Sequence, residues 1–322
     1  MELYVYRVRV APVGRVRFEK FPGIHIEGAL TGAVRAISCV CRDDAAIARC
    51  PAQRRCAFNL LVRPPADLFP ELPKRYRPPP APLVLRPRFP AGTYTRGDEL
   101  ELMMVLVGRA HEHLHWVLAG LARAGRRGVG PERNAGTLGG CFKVSGVEAI
   151  GPRGVPTRCD GMDAVGASTL PWRFPDDFQT PAPAWCTAGS FTLEFRSPTL
   201  VPKEPASRGS LEFSDLITTL GKRVSVLSMA YGDRHLIDYQ EQCALTAAAD
   251  GVRVAARGCQ WDQWTRRSEK QQRTFTLGGW SGWVRYQGDV TPFVPLLRLG
   301  GLLHVGDHTI RGFGEIALSE GL

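Results

Sequence analysis

Strand, helix, strand, strand, helix, strand: hydropathy patterning and turn residues mark out this order in residues 1–150 and again, in outline, in residues 190–322. The order predicts an α+β protein built from two tandem ferredoxin-like (βαββαβ) domains, joined by a connection over residues 151–189 and ending in a C-terminal glycine-rich loop. At 322 residues the chain is long enough for each domain to bury its own core. No sequence motif repeats between the halves, so the duplication rests on element order.

Residues 1–10 alternate apolar and polar, as a strand with one buried face does. They lack the apolar core of a secretion signal. No run of about 18 apolar residues occurs, so the expectation is a cytoplasmic protein with no membrane partner. After a turn at Pro22-Gly23, residues 28–38 read as a short helix. The prolines from Pro64 to Pro90 exclude helix and predict extended chain or a sheet edge. Residues 99–108 form a strong strand pattern, Ala110 to Ala124 an amphipathic helix, and residues 139–150 another strand. In the second half, Phe191 to Phe195 is strand-like, and Ser210 to Ala230 is helical with Ser214 as candidate N-cap. Residues 252–264, 272–277 and 280–287 read as strands, Phe293 to Leu299 as a short helix or turn, and a final strand ends at Leu318.

The net charge of +10, carried mostly by arginine, points to a polyanionic partner. Arginine suits bidentate phosphate contacts and stacking on bases. Nine cysteines do not suggest a disulfide framework in a chain with no export signal. Cys39, Cys41, Cys50 and Cys56 fall within 18 residues, and four close thiolates suit tetrahedral zinc. Their spacing contains no C-x2-C pair, so free thiols remain the alternative to a structural zinc site. His111, His113 and His115 resemble a metal motif but lack the HExxH order, and a polar helix face is the expected role. The carboxylate pairs Asp43-Asp44 and Asp176-Asp177 stand in loop-like contexts and do not indicate a metal-dependent nuclease.

The most specific local pattern is at the C-terminus. Gly300, Gly301, Gly306, Gly312 and Gly314 are interleaved with His304, His308 and Arg311. Free backbone N–H groups beside cationic side chains make an anion cradle. A tight turn without a ligand is the alternative. Upstream, Arg266, Arg267, Lys270 and Arg273 follow Trp261 and Trp264, a mixture suited to phosphates and unpaired bases.

These blocks carry a resemblance. Gly278-Gly279-Trp280-Ser281-Gly282, Gly288-Asp289, Pro292-Phe293-Val294-Pro295-Leu296-Leu297, His304-Val305-Gly306 and Gly312-Phe313-Gly314 follow the order and spacing seen in CRISPR RNA-processing endoribonucleases of the RAMP superfamily. Gly97 to Arg109, Gly125 to Gly130 with Arg133, and Gly28 to Ile37 resemble the family's earlier blocks. The last departs from the family pattern by one residue and by Thr31 in place of arginine.

The resemblance implies cleavage of CRISPR repeat RNA (pre-crRNA) to crRNA by attack of its own 2′-hydroxyl. That chemistry takes no catalytic cofactor and leaves a 2′,3′-cyclic phosphate. It needs a base, an acid and a cation at the phosphate. The family places catalytic groups near the first helix, where His25 stands, and Arg35 lies near a position that related enzymes fill with tyrosine. In the type IV CRISPR branch, arginines are thought to carry the site. The resemblance further implies repeat RNA and other CRISPR effector subunits as partners. The alternatives are a non-catalytic RNA-binding RAMP subunit of the same fold and a generic pair of RNA-recognition modules, although the latter's aromatic signatures are absent.

Overall fold

The computed structural model describes residues 1–41, 50, 52–159, 169–179, 181, 189–202, 211–268 and 273–319. The chain divides into two units: Met1–Arg173 with Val226–His235, and Phe174–Ser225 with Leu236–Leu322.

In the first unit the strands are β1 (Glu2–Pro12), β2 (Val16–Phe18), β3 (Leu83–Pro87), β4 (Gly92–Tyr94), β5 (Leu100–Val107), β6 (Phe142–Ile150), β7 (Pro156–Arg158) and β8 (Trp172–Arg173). The helices are α1 (Pro22–Ser38), α2 (Ala57–Leu61) and α3 (Leu114–Arg127). The main sheet runs β3-β5-β1-β6-β7, with β8 also paired to β1. The order β3-β5-β1-β6 is that of a ferredoxin-like βαββαβ unit. Alternation along β1 buries Tyr6, Val8 and Val10 and sends Arg7 and Arg9 to the other face. There Arg7 pairs with Glu101 at 3.1 Å and Glu148 at 3.0 Å, and Arg9 with Glu148 at 2.5 Å.

The first helix starts at Pro22, six residues before the sequence places it. Proline is tolerated in the first turn because that N–H has no intrahelical partner. Pro22-Gly23 therefore opens the helix and makes no turn before it, and His25 stands on the helix itself. Helix α1 packs on α3 through Gly120: a Cβ there would lie 2.6 Å from Val34 Cγ2 and 2.9 Å from Leu30 Cδ1. The proline-rich stretch holds no α-helix. It makes 3₁₀ turns at Ala66–Leu68 and Lys74–Tyr76 before β3, an edge strand where Pro87 costs no ladder bond. Likewise Gly108–His113 is a 3₁₀ turn, so α3 begins only at Leu114.

The second unit repeats the order with β9 (Ser190–Thr199), α4 (Phe213–Tyr231), α5 (Tyr239–Ala249), β10 (Arg253–Ser268), β11 (Arg273–Gln287), α6 (Val294–Leu303) and β12 (Ile316–Ser319). The sheet runs β10-β11-β9-β12, again ferredoxin-like. Residues of α4 from Val226 onward belong to the first unit. Ser214 lies inside α4, so it is not the N-cap. Helix α5 is an insertion the hydropathy pattern did not suggest, closed at its start by a capping box between Asp238 and Glu241. Phe191, Phe213, Tyr286 and Phe293 form the aromatic core, with ring centroids 5.2–5.6 Å apart. The buried Tyr286 hydroxyl donates to Leu211 O at 2.9 Å, and burial raises its pKa. Residues 273–287 are one strand where the sequence suggested two. Within residues 151–189, β7 and β8 extend the first sheet and Phe178 is buried, so this stretch is partly structure and not only connection.

The close helix crossing makes a direct prediction. Gly120→Val should destabilise the first unit by about 1–3 kcal/mol through overpacking against α1. Thermal unfolding of the variant should shift downward, and an unchanged midpoint would contradict the crossing.

Candidate nucleic-acid interface and catalytic groups

Helix α1 carries both catalytic candidates but does not bring them together. His25 and Arg35 are ten residues apart on one helix, a separation of about 15 Å along its axis. His25 is half-buried, its ring 6.2 Å from that of Phe18. Arg35 is also half-buried, with its guanidinium 5.8 Å from the centre of the Phe58 ring. A single phosphate is therefore not in direct reach of both.

His111 and His113 are placed differently from the sequence reading, whereas His115 is exposed on α3. His111 is not on an open polar helix face: its ring stacks on Tyr4 at 3.7 Å and lies 6.0 Å from Tyr6. His113 lines a cavity of about 310 Å³ in the first unit, with Arg54, Phe69, Arg109, Glu112 and Tyr231 around it. Arg109 is fixed there by donating to the backbone oxygen of Ala230. Burial lowers the pKa of both His111 and His113, against the opposing pull of Glu112. A neutral imidazole between cations can accept a proton at neutral pH. Sequence reasoning missed this cavity because its walls come from residues 54–69, 109–113 and 231, far apart in the chain.

The glycine-rich segment is the largest correction. Gly300 and Gly301 are not in a loop but in α6, where a Cβ on Gly300 would meet Ile316 and Leu220 at 2.8 and 2.9 Å. Buried Val294, Leu296, Leu297 and Leu299 carry the helix through despite glycine's poor propensity. Gly306 and Gly314 do take positive φ, 79° and 78°. That freedom serves the chain's own packing, since a Cβ there would lie 2.0 Å from Leu200 O and 1.9 Å from Val305 O. Gly312, at φ 80°, ends a 3₁₀ turn and is buried. His304 is fully buried, with Nδ1 2.9 Å from Phe313 O, so it is a structural histidine and cannot touch RNA in this conformation. His308, Arg311 and Gly306 stay partly exposed.

The basic segment becomes a ribbon. β10 and β11 pair from Arg253↔Gln287 to Ser268↔Arg273, whereas β9 pairs with β11 only from Trp280 to Gln287. Residues 262–268 and 273–279 thus extend past β9 as a two-stranded arm. Arg266, Arg267 and Arg273 lie in its outer part, paired with Phe275, Thr274 and Ser268; Lys270 lies outside the described residues. Trp261 and Trp280 face each other across the ribbon at 5.4 Å. Two indoles near the base have a glycine beneath them: a Cβ on Gly278 would lie 2.6 Å from Trp261 and one on Gly258 2.4 Å from Trp283. Part of the tryptophan surface is therefore spent within the ribbon.

The four clustered cysteines meet at the end of α1. Cys39 caps the helix and Cys56 precedes α2, with Cys56 Sγ 3.9 Å from Ser38 O. Hydrogen bonding with Cys50, together with burial and the neighbouring Cys39, pushes the Cys41 thiol up to about 12. Burial and Cys39 also raise Cys56. Among the described residues, which include all four thiols, no group of three or more ligating side chains could hold a metal ion. No helix among the described residues is long and apolar enough to cross a membrane.

Residues 193–316, from β9 into β12, match the family model described as CRISPR-associated endoribonuclease Cas6. Over these residues the chain is similar to the CRISPR-associated Cas6 endoribonucleases. Residues 1–155 match a second family model, described as an N-terminal domain. No curated protein sequence matches the chain. Among solved structures, a Cas6 product complex shares 12% identity with a TM-score of 0.55, over 99% of both chains. Thermus thermophilus Cas6 shares 11% at a TM-score of 0.52, over 99% of this chain and 98% of that one. A partial Cas6-RT-Cas1–Cas2 complex shares 13% at 0.55, over the whole of this chain and 46% of that one. At such identities the structures attest the tandem ferredoxin-like fold, in agreement with both sheet orders.

Burial of His304 predicts a structural phenotype. His304→Ala removes the buried contact to the Phe313 carbonyl and should cost about 1–3 kcal/mol of stability. Folded variant protein should bind RNA as the parent does. Unchanged thermal stability with lost RNA affinity would return His304 to the interface.

Proposed function

We propose that this chain is a Cas6-type endoribonuclease and cuts CRISPR repeat RNA without a catalytic metal. The 2′-oxygen attacks the adjacent phosphorus as a base removes its proton. The bond to the 5′-oxygen breaks as an acid protonates it, leaving a 2′,3′-cyclic phosphate and a 5′-hydroxyl. The observation that carries the reading is the match of residues 193–316 to the Cas6 endoribonuclease model. The projecting basic ribbon supports it, because a strand pair with arginines at its far end can follow a phosphate backbone. Arg266, Arg267, Lys270 and Arg273 there, with the partly exposed His308 and Arg311, hold the RNA. His25 moves the proton, and Arg35, about 15 Å farther along the helix, holds a neighbouring phosphate of the same strand. After the cut the protein keeps its product in the cytoplasm, in an assembly with other CRISPR proteins. The fold's occurrence in a Cas6-RT-Cas1–Cas2 complex favours such an assembly.

The cavity around His113 supports a second placement of the chemistry. Its imidazole stands beside Arg54 and Arg109, which can neutralise a phosphorane. Single-turnover cleavage separates the two: the true acid–base residue, changed to alanine, should lose about 100-fold or more in rate with RNA affinity retained.

Purified protein should cut labelled repeat RNA at one site in excess EDTA. Binding without cleavage, in EDTA and in magnesium alike, would make the chain a non-catalytic RNA-binding subunit. Replacing Arg266, Arg267 and Arg273 with alanine should weaken binding. It should also flatten the dependence of log K on log salt, by about 0.7 for each phosphate of single-stranded RNA that an arginine had neutralised. Unchanged affinity and slope would place the ribbon away from RNA.

A further inference from the structure

We propose that the first unit carries a second RNA-binding face, where the end of α3 meets β2, and that it holds single-stranded repeat RNA by its phosphates beside His25, an inference that rests on the endoribonuclease reading above for the class of its ligand. Five arginines, Arg15, Arg17, Arg126, Arg127 and Arg133, are exposed there. Arg126 and Arg127 form the last turn of α3. A Cβ on Gly128 would lie 3.4 Å from Arg133 Cα, and one on Gly130 would lie 2.3 Å from Arg17 O. These glycines let the segments approach because they have no Cβ. Gly140 N–H donates to Arg15 O at 2.8 Å, and Val129 N–H donates to Gly140 O at 2.9 Å. The backbone beneath the arginines is thus fixed before a ligand arrives, which lowers the ordering cost of binding.

Most of this charge is not neutralised within the protein. Glu132 lies 3.6 Å from Arg15 and Glu19 lies 3.1 Å from Arg17. Arg126, Arg127 and Arg133 make no ion pair among the described residues. The partial negative charge at the end of α3 accounts for Arg126 and Arg127. It does not account for Arg133 or Arg17, and like charges gathered in one place repel. An anionic partner relieves that repulsion, and the neighbouring rings specify which one. β2, which carries Arg17, pairs with β4, and Phe18, Phe89 and Tyr94 pack together with ring centroids 5.1–6.2 Å apart. Phe89 and Tyr94 are only half-buried, so ring surface stays open on this strand pair. Arginines beside open aromatic rings take phosphates and unpaired bases together, a combination suited to single-stranded RNA rather than to an acidic protein surface. The Phe18 ring also lies 6.2 Å from that of His25, so a strand held here runs past the proposed proton-transfer group.

The test measures binding apart from cleavage, with the whole chain and labelled repeat RNA kept intact by a 2′-deoxy nucleotide before the scissile bond. Arg126→Ala, Arg127→Ala and Arg133→Ala together should weaken binding and flatten the dependence of log K on log salt by about 2, at about 0.7 for each phosphate of single-stranded RNA no longer neutralised. Lysine at all three positions should restore the slope, because the slope reads charge. Arg133→Glu alone, in an exposed turn, should act in the same direction as the alanine variant. Repeat RNA with 5-iodouridine at its uridines should crosslink on irradiation to the segment that holds Phe89 and Tyr94. Wild-type affinity and slope in the alanine variant would overturn the proposal and leave the endoribonuclease reading standing, as would crosslinks confined to residues 253–287. RNA held through these arginines but never cut, when unmodified, would keep the face and sink the endoribonuclease reading. Repeat RNA that the wild-type protein does not bind would overturn both.

Discussion

In each unit the first strand lies inside the sheet, paired on both sides: β1 between β5 and β6, β9 between β11 and β12. Everything else follows from satisfying that strand. In the first unit α1 carries the chain from β1 to β3 and α3 from β5 to β6, each time to a parallel strand one place beyond the neighbour, and right-handed crossovers place both helices on one face. One face of each sheet is then core, and the other is free for polar chemistry. On the first unit that free face is taken up by the Arg7, Arg9, Glu101 and Glu148 pairs, so part of the positive charge is neutralised internally. Such pairs, partly exposed, are each worth about 1 kcal/mol or less and do little for stability. What they do is remove cations from the set that can meet RNA.

The second unit resolves the same constraint with a longer hairpin. β9 stops pairing at Trp280, and β10 and β11 continue without it. A ribbon with no third strand cannot build a core on either side. Tryptophans laid across glycines near its base, Trp261 on Gly278 and Trp283 on Gly258, give the base local packing. The outer part carries Arg266, Arg267 and Arg273. Glycine is thus used in this protein for close approach within the chain: between helices at Gly120, between strand and indole at Gly258, and between turns at Gly314.

Much of the fold was legible in the sequence because strand alternation and the helix period survive wherever one face is buried. β1, β5 and α4 are such elements, and their positions match the sequence reading to within a few residues. The reading failed where a residue type has two uses. Glycines 300, 301, 306 and 314 signal a ligand cradle as readily as they signal tight packing, and only the positions of Leu220, Leu200 and Val305 decide between them. Pro22 reads as a turn or as a helix start, and the buried Ile24 and Ile26 decide for the helix. Histidine is similar: the sequence gives no sign that His304 is sealed beneath Phe313 while His113 opens on a cavity. The helical rise of α1 also separates His25 from Arg35, a distance a linear motif does not display.

The chemistry of the proposal rests on the RNA supplying its own nucleophile. Nothing in that route demands a metal ion or an activated water, only a proton acceptor, a donor and cations close to one phosphate. The most direct measurement is single-turnover cleavage of a repeat RNA carrying a single 2′-deoxy substitution at the nucleotide before the scissile bond. The account predicts that affinity is retained and that cleavage at that bond is abolished, while the unmodified RNA yields a 2′,3′-cyclic phosphate end. Continued cleavage of the deoxy substrate at the same bond would contradict it.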